Sequence, residues 1–306
     1  MESVIVKLSF SSPVHFGKKR LADSEHILKA DTLFSALFIE SLNLGIDSNM
    51  LLNDIVISDS FPYVADELYL PKPLISISAS QQEEDYKIFK KLQYIPVNHF
   101  KDYIDGNVTS VQAKEMADTF ELGKPSTVTK VSLTEVDYKG DAAPYNVGIF
   151  QFNKNSGLYF LLQYPKRYQS DIIQILDALQ YSGLGGKRTS GYGRFTYEII
   201  KKHNIFKLTI QGSQILLSSA MVQEHEAQLL SEDDRYTLTK RTGYIQSETF
   251  DSTLVKKRDF FSFNSGSVFK NKFKGTIVDV GDNGMHPVYR YAKAYWLGGI
   301  DNEIHY

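Results

Sequence analysis

Residues 183–195 read Gly-Leu-Gly-Gly-Lys-Arg-Thr-Ser-Gly-Tyr-Gly-Arg-Phe, with five glycines in eleven positions and three cations, Lys187, Arg188 and Arg194. Glycine permits positive φ and lets backbone approach a ligand closely. Bare N–H groups beside cations make a cradle for anions, phosphate above all. Thr189 and Ser190 add hydroxyl donors, and Tyr192 adds a ring for stacking or packing. Two nucleotide loops are excluded. A Walker A loop needs Ser or Thr after Gly-Lys, but Arg188 follows Gly186-Lys187 and Tyr181 stands where the first glycine belongs. A dinucleotide fingerprint from Gly183 needs glycine at Arg188. Both also need the order strand, loop, helix, and this segment reads helix, loop, strand. The plain alternative is a connection that merely turns a helix into a strand. The loop is longer and more basic than that task requires.

Other cations follow the same chemistry. Lys18, Lys19 and Arg20 share a turn-like segment with His15, Phe16 and Gly17. A solvated basic turn is the alternative there. Acid–base chemistry at a histidine needs a second proton-transfer group or a cation for the transition state. Nothing in the sequence couples His15 to one. Residues 256–274 interleave Lys256, Lys257, Arg258, Lys270, Lys272 and Lys274 with five phenylalanines, against Asp259 alone. Cations for phosphates and rings for bases suit a single strand of RNA, although alternating Phe and Lys also describes a half-buried strand. Lys257 and Arg258 are the candidates in this stretch. Lys240 and Arg241 suit RNA or a subunit contact. The acidic runs Glu224-His225-Glu226 and Glu232-Asp233-Asp234 have neither His-Glu-x-x-His nor calcium-loop spacing and read as solvated faces. No metal and no cofactor is expected.

Across the whole chain of 306 residues, 34 Lys+Arg against 36 Asp+Glu give a net charge of −2. That balance argues against a protein that coats nucleic acid with its whole surface, and leaves room for one basic groove. Zero cysteines exclude disulfides, thiolate zinc sites and cysteine nucleophiles. The first ten residues read as a strand rather than a signal peptide, and no apolar run approaches the ~20 residues of a membrane span. A soluble, cytoplasmic protein without membrane contact is expected.

The elements that must position these residues are partly legible. Val4, Val6, Leu8 and Phe10 alternate as in a strand. Leu33, Phe34, Leu37, Phe38 and Leu42 recur at helical spacing, with Asp31 as N-cap. Residues 81–91 are charged and helical in pattern. Residues 101–146 read as a long polar excursion with an extended hairpin around Val128–Val136. Ile149–Phe152 and Leu158–Tyr164 suggest a hairpin about residues 153–157. Ser170 suggests the cap of a helix that carries Ile172, Ile175, Leu176 and Leu179 and stops at Gly183, before a strand at Phe195–Ile200. Beyond ~205 the pattern is mostly β, with strands expected at 206–210, 215–221, 257–263, 276–280 and 288–295 and a short helix at 220–230. The composition shift near residue 200 marks a domain boundary.

The glycine-rich loop resembles the signature loop of the CRISPR RAMP superfamily. Ordered blocks narrow the resemblance: Pro13-Val-His-Phe-Gly17, Ala30-Asp-Thr-Leu-Phe-Ser-Ala-Leu37, Leu70-Pro-Lys-Pro-Leu74, Tyr236-Thr-Leu-Thr-Lys240, Phe263-Asn-Ser-Gly-Ser-Val-Phe269, Gly275-Thr-Ile-Val-Asp-Val280 and His286-Pro-Val-Tyr-Arg-Tyr291. Together they look like the family that supplies the fourth, Cas-five-like subunit of type III-A Csm effector complexes. The resemblance implies an α+β fold of two ferredoxin-like (RRM-like) domains with antiparallel sheets. Residues 1–200 would be the first, with the thumb hairpin inserted at about 101–146 and the glycine-rich loop at 183–194. Residues 201–306 would be a degenerate, mostly β second one.

It also implies a non-catalytic crRNA-binding subunit in antiviral defence. Such a subunit holds the repeat-derived 5′ tag of crRNA and bridges the large Cas-ten-type subunit to the RAMP backbone subunit. The expected RNA contacts are His15, Phe16, Gly17, Lys18, Lys19, Arg20, Gly185, Gly186, Lys187, Arg188, Thr189, Ser190, Tyr192, Arg194, Arg241, Lys257 and Arg258. Val128 and Lys130 would sit on the thumb, near target RNA. The competing expectation is a metal-independent RAMP endoribonuclease that cuts repeat RNA with His15.

Overall fold

The computed structural model describes residues 1–18, 20–75, 83–131, 144–245, 247, 255–281 and 284–298. The chain begins with β1 (Glu2–Phe10), a short ribbon of β2 (Phe16–Gly17) and β3 (Ser24–Glu25), then α1 (Ala30–Asn43) and α2 (Asn49–Asn53). Next come β4 (Val56–Ile57), β5 (Phe61–Val64), β6 (Glu67–Pro71), α3 (Glu83–Lys91), β7 (Tyr94–Pro96), α4 (Val97–Ile104) and α5 (Ser110–Asp118). A long hairpin of β8 (Gly123–Val131) and β9 (Pro144–Phe152) precedes β10 (Ser156–Tyr164), α6 (Gln169–Ser182) and β11 (Phe195–Ile200). Past residue 200 lie β12 (Gln214–Ile215), β13 (Leu238–Arg241), β14 (Phe260–Phe263), β15 (Val268–Phe269), β16 (Gly275–Asp279) and β17 (Tyr289–Lys293).

One mixed-length antiparallel sheet organises the first two hundred residues, in the order β11-β1-β10-β5-β6-β7, with β4 also paired to β10. The two-residue period of β1 divides it between two cores. Val4, Val6 and Leu8 pack with α1 and α6, while Ile5 joins a second core with Phe100, Tyr103, Leu217 and Tyr295. The central strand β10 is buried along its whole length, because it has a core on both faces. Among the described residues beyond 200 there is no α-helix, only two-stranded pairs (β12–β15, β13–β14, β16–β17) and 3-10 turns.

Two buried carboxylates tie the halves together around the start of α1. Asp59 is fully buried, and its Oδ1 accepts from the N–H of Ala30 and of Ser219, both at 2.8 Å. Asp31, 2% exposed, takes Arg241 of β13 and Arg290 of β17. Tyr291 adds an apolar seam, its ring 5.2 Å from that of Phe34 and its hydroxyl accepting the Ile57 N–H at 2.7 Å.

Several local expectations change. Asp31 is not the cap of α1: Lys29 holds that position with extended backbone and no side-chain cap, and Asp59 reaches in from afar to take the Ala30 N–H. Ser170 lies inside α6, which starts at Gln169 after Tyr168. Residues 101–122 are not an irregular excursion, since Thr109 caps α5 with a capping box to Gln112. The hairpin is β8 with β9, and the expected stretch 132–136 falls outside the described residues. β9 does not pair with β10. The ladder partners of β10 are β1, β4 and β5, so the chain comes out of the hairpin arm through residues 153–155 and enters the sheet without pairing back on β9. Residues 206–210 are a 3-10 turn and irregular chain rather than a strand, and 224–229 form a 3-10 turn rather than a helix.

Candidate nucleic-acid interface

Helix α6 stops at Gly183, whose φ of 77° turns the chain and whose N–H donates to the Leu179 carbonyl at 2.8 Å. The glycine-rich loop then folds down on residues 13–16. Gly186 donates to the His15 carbonyl at 2.8 Å, Gly193 to that of Pro13 at 2.9 Å, and Leu184 closes the loop on the Gly193 carbonyl at 2.9 Å. Packing explains two of the glycines. A Cβ on Gly193 would lie 1.9 Å from the Leu184 carbonyl oxygen, and one on Gly185 2.7 Å from that of His15. The apex stays open: Arg188, Thr189 and Ser190 are exposed in a 3-10 turn, and Gly191 at φ 86° has nothing within 4 Å of an added Cβ. Lys187 takes a left-handed φ of 59°, a conformation that non-glycine residues adopt uncommonly.

His15 sits beneath the loop, 6% exposed, and its Nδ1–H donates to the Gly148 carbonyl of β9 at 2.6 Å. Phe16 is buried beside it. Both pack between the loop and the hairpin, and both also line the groove between the two halves of the chain.

A groove of about 840 Å³ runs between the two halves of the chain. Its walls are the ribbon at Phe16–Lys18, the first turns of α1, the loop at Gly183–Gly186 and Arg188, and β13 with Thr242 and Asn264. Lys18, Lys29, Arg188, Lys240 and Arg241 line it against the single carboxylate of Glu25. The walls also offer Thr32, Thr239 and Asn264 as polar donors and Ile27, Leu28 and Ile39 as apolar surface. A trough whose walls carry more cations than carboxylates is an arrangement that attracts a polyanion, although Lys29 is paired with the buried Asp59 at 3.0 Å.

The cations in the groove are not equally available. Lys18 pairs with Glu25 at 2.6 Å, and the hydrogen bond to that carboxylate raises its ammonium pKa. Arg241 is committed to Asp31 through two bonds, Nε–Oδ2 at 3.0 Å and Nη2–Oδ1 at 2.8 Å. Its guanidinium fork thus already holds a buried carboxylate while it lines the groove. Lys240 bonds Asp259 at 2.6 Å across the ribbon. Arg188 is exposed at the mouth.

Of the sequence candidates, His15, Phe16, Gly17, Lys18, Gly185, Gly186, Arg188 and Arg241 meet in this groove. Arg20, Lys187, Thr189, Ser190, Tyr192, Arg194, Lys257 and Arg258 lie outside its walls, and Lys19 lies outside the described residues. Lys257 is half-buried near the Asp31 cluster, where burial, then Arg290, pushes its ammonium pKa down. Arg258 donates to the Asp279 carbonyl, a strand-edge contact. On the hairpin, Val128 is half-buried opposite Val147, and Lys130 stands opposite Tyr145. The Lys130 ammonium lies 4.4 Å from the centre of the Tyr192 ring, so Tyr192 packs against the hairpin rather than standing open for a base. Lys187 in turn lies 5.2 Å from the Tyr145 ring. Sequence reasoning missed Lys29, which flanks the helix-start block, and Tyr145, for which no local motif exists.

Among the described residues no group of three or more His, Asp or Glu side chains gathers as metal ligands would, and no helix is long and apolar enough to cross a membrane.

Residues 210–299 match the model of the CRISPR Csm4 C-terminal domain. The protein named CRISPR system Cms protein Csm4 from Mycobacterium tuberculosis (strain CDC 1551 / Oshkosh) is 31% identical over 305 residues, spanning 97% of this chain and 98% of the relative. Its counterpart from Streptococcus thermophilus is 30% identical, spanning 91% and 93%. In fold, the chain is similar to one in the crystal structure of a Csm3–Csm4 subcomplex of the type III-A CRISPR-Cas interference complex. The TM-score is 0.66 at 18% identity, over 98% of this chain and 100% of that one. A chain of the Csm1–Csm4 cassette in complex with cA4 gives 0.60 at 20% identity, over 97% and 98%. With its glycine-rich loop, its basic groove and near-complete alignment to these relatives, the chain belongs to the Csm4 family of type III-A CRISPR Csm complexes.

Proposed function

We propose that this chain is the non-catalytic subunit that grips the repeat-derived 5′ tag of crRNA and joins the large Csm1 subunit to the Csm3 backbone. The observation that carries this reading is the groove between the halves, where Arg188 stands exposed at the mouth and Lys18, Lys29, Lys240 and Arg241, each paired with a carboxylate, line the walls. Single-stranded RNA needs cations along its phosphates and surfaces for splayed bases, and this trough offers both. The apex of the glycine-rich loop, with Lys187 and Arg188, meets the strand at the mouth. The partners follow from the relatives, whose solved complexes pair Csm4 with Csm3 in one case and Csm1 in another.

The pairing order supports a ferredoxin-like reading of residues 1–200. Strands β11, β1, β10 and β4 stand side by side, with α1 and α6 against one face, in the β-α-β-β-α-β connection order. Residues 201–306 form the second, degenerate half. The β8–β9 hairpin is the thumb, which carries Val128 and Lys130 towards the guide–target duplex. The burial of His15, 6% exposed, speaks against the endoribonuclease alternative, although its Nδ1–H bond to the Gly148 carbonyl leaves Nε2 as the nitrogen that could accept a proton. We place the protein in a cytoplasmic antiviral ribonucleoprotein.

The test is the double variant Lys187→Ala/Arg188→Ala in the assembled complex. Loss of crRNA from the purified particle is expected. Full crRNA occupancy in that variant would reject the assignment of the loop.

A further inference from the structure

Lys130 and Tyr145 are register partners on the two arms of the hairpin, so their side chains share one face. The glycine-rich loop presents a second lysine and tyrosine to that face. Lys130 Nζ lies 4.4 Å from the Tyr192 ring centre, and Lys187 Nζ lies 5.2 Å from that of Tyr145. Each element gives one ammonium and receives one. All four residues are half-buried, and neither lysine has an ion-pair partner among the described residues.

The backbone fixes this meeting. Val14 and Phe150 exchange both N–H···O bonds at 2.8 Å, His15 holds the Gly148 carbonyl, and Gly148 donates to the Leu21 carbonyl at 2.9 Å. Tyr145 therefore stands only a few residues from an anchored point. A lysine free in water loses rotamer freedom when a ligand fixes it. A ring that already restrains the ammonium removes part of that cost. The ring covers one side of the ammonium and leaves N–H donors for an anion.

We propose that these four residues form one joint that presents Lys130 and Lys187 together to the phosphodiester backbone of RNA, with Tyr145 and Tyr192 as positioning residues. Grip on the strand and placement of the hairpin then become a single event. This rests on the RNA-binding reading of the loop.

The test uses the assembled complex with its guide RNA and four variants: Lys187→Ala, Tyr145→Ala, Tyr145→Phe, and Tyr145→Ala with Lys187→Ala. Retention of guide RNA is followed through a salt titration. Lys187→Ala is expected to weaken retention about fivefold and to lower the slope of log affinity on log salt by about 0.7, the share of one phosphate contact on a single strand. Tyr145→Ala, which removes no charge, is expected to do the same. Tyr145→Phe keeps the ring and is expected to match wild type, and the double variant is expected to be no worse than either single. A wild-type slope in Tyr145→Ala, or losses that add in the double variant, overturns the joint and leaves the loop's own contact standing. Wild-type retention in Lys187→Ala overturns the loop reading and the joint together.

Discussion

The carboxylate of Asp31, in the first turn of α1, is held by the guanidinium of Arg241 through two parallel bonds across a sequence separation of 210 residues. Arg290 closes on the same carboxylate from β17. The three groups form a cross-brace behind the groove. Asp31→Asn would leave two buried or half-buried guanidinium groups without their anion, a change that costs about 3–5 kcal/mol. A large drop in unfolding midpoint is expected, and an unchanged midpoint would show that the brace carries no stability.

The same carboxylate sets an acid limb. Burial alone would raise the Asp31 pKa, but Arg241 and then Arg290 outweigh it and hold the group below the ordinary carboxylate value. Its folded pKa is thus below its unfolded one. The stabilisation is present above the unfolded value, near about pH 4, and is lost as pH falls through the folded one. Asp31→Asn is expected to flatten that limb in unfolding curves taken at falling pH.

Two glycines in one loop predict opposite outcomes. Gly193→Ala sets a methyl 1.9 Å from the Leu184 carbonyl oxygen and is expected to abolish the folded loop and crRNA retention with it. Gly191→Ala meets open space and carries only the strain of its positive φ, about 1 kcal/mol. Retention within about twofold of wild type is expected for it, since the apex does not pack. Equal losses in both variants would show that the loop's close packing is not what demands its glycines.

His15→Ala separates packing from chemistry. It is expected to raise hydrogen exchange along β9, where the Gly148 carbonyl loses its donor, and to change no cleavage of repeat RNA. Site-specific cleavage by the wild type that disappears in this variant would restore the nuclease reading.

Lys293 donates to the carbonyls of Asn53 at 3.1 Å and Ile55 at 3.5 Å. Burial pulls its ammonium pKa down to about 8, with Asp54 opposing. Between that value and its unfolded pKa of about 10.4, the unfolded chain binds more protons, so stability rises with pH across the window. Lys257, also lowered by burial, acts in the same direction. Denaturant midpoints measured at about pH 7.5 and about pH 9.5 are expected to increase, and Lys293→Met to shrink the increase. A flat wild-type response would contradict the burial of this group.

The parts of the molecule legible in the sequence are those written in local periodicity. Val4, Val6 and Leu8 announced β1, the Leu33–Leu37 stripe announced α1, and Gly183 announced the end of α6. The glycine-rich loop was legible as the connection between α6 and β11, yet the reason for Gly185 and Gly193 was not, because the backbone they clear belongs to Pro13–Phe16 or to the loop's own far end. Pairing was the weak point. Residues 149–152 have a strand's composition and a turn beside them, but β10 already has β1 on one edge and β4 and β5 on the other, so β9 had to pair elsewhere. Arg241 looked like a free cation for the same reason: its partner lies at the opposite end of the chain.

Among the described residues the ladder of the hairpin pairs only within itself, apart from its bridge to Val14. Its length is therefore a free dimension of the fold. Each pair of residues added to both arms would lengthen it by about 7 Å while every side chain kept its face. A single added residue would turn the outer face inward. Evolution, or a designer, can thus adjust how far this arm extends without retuning a single pairing in the central sheet.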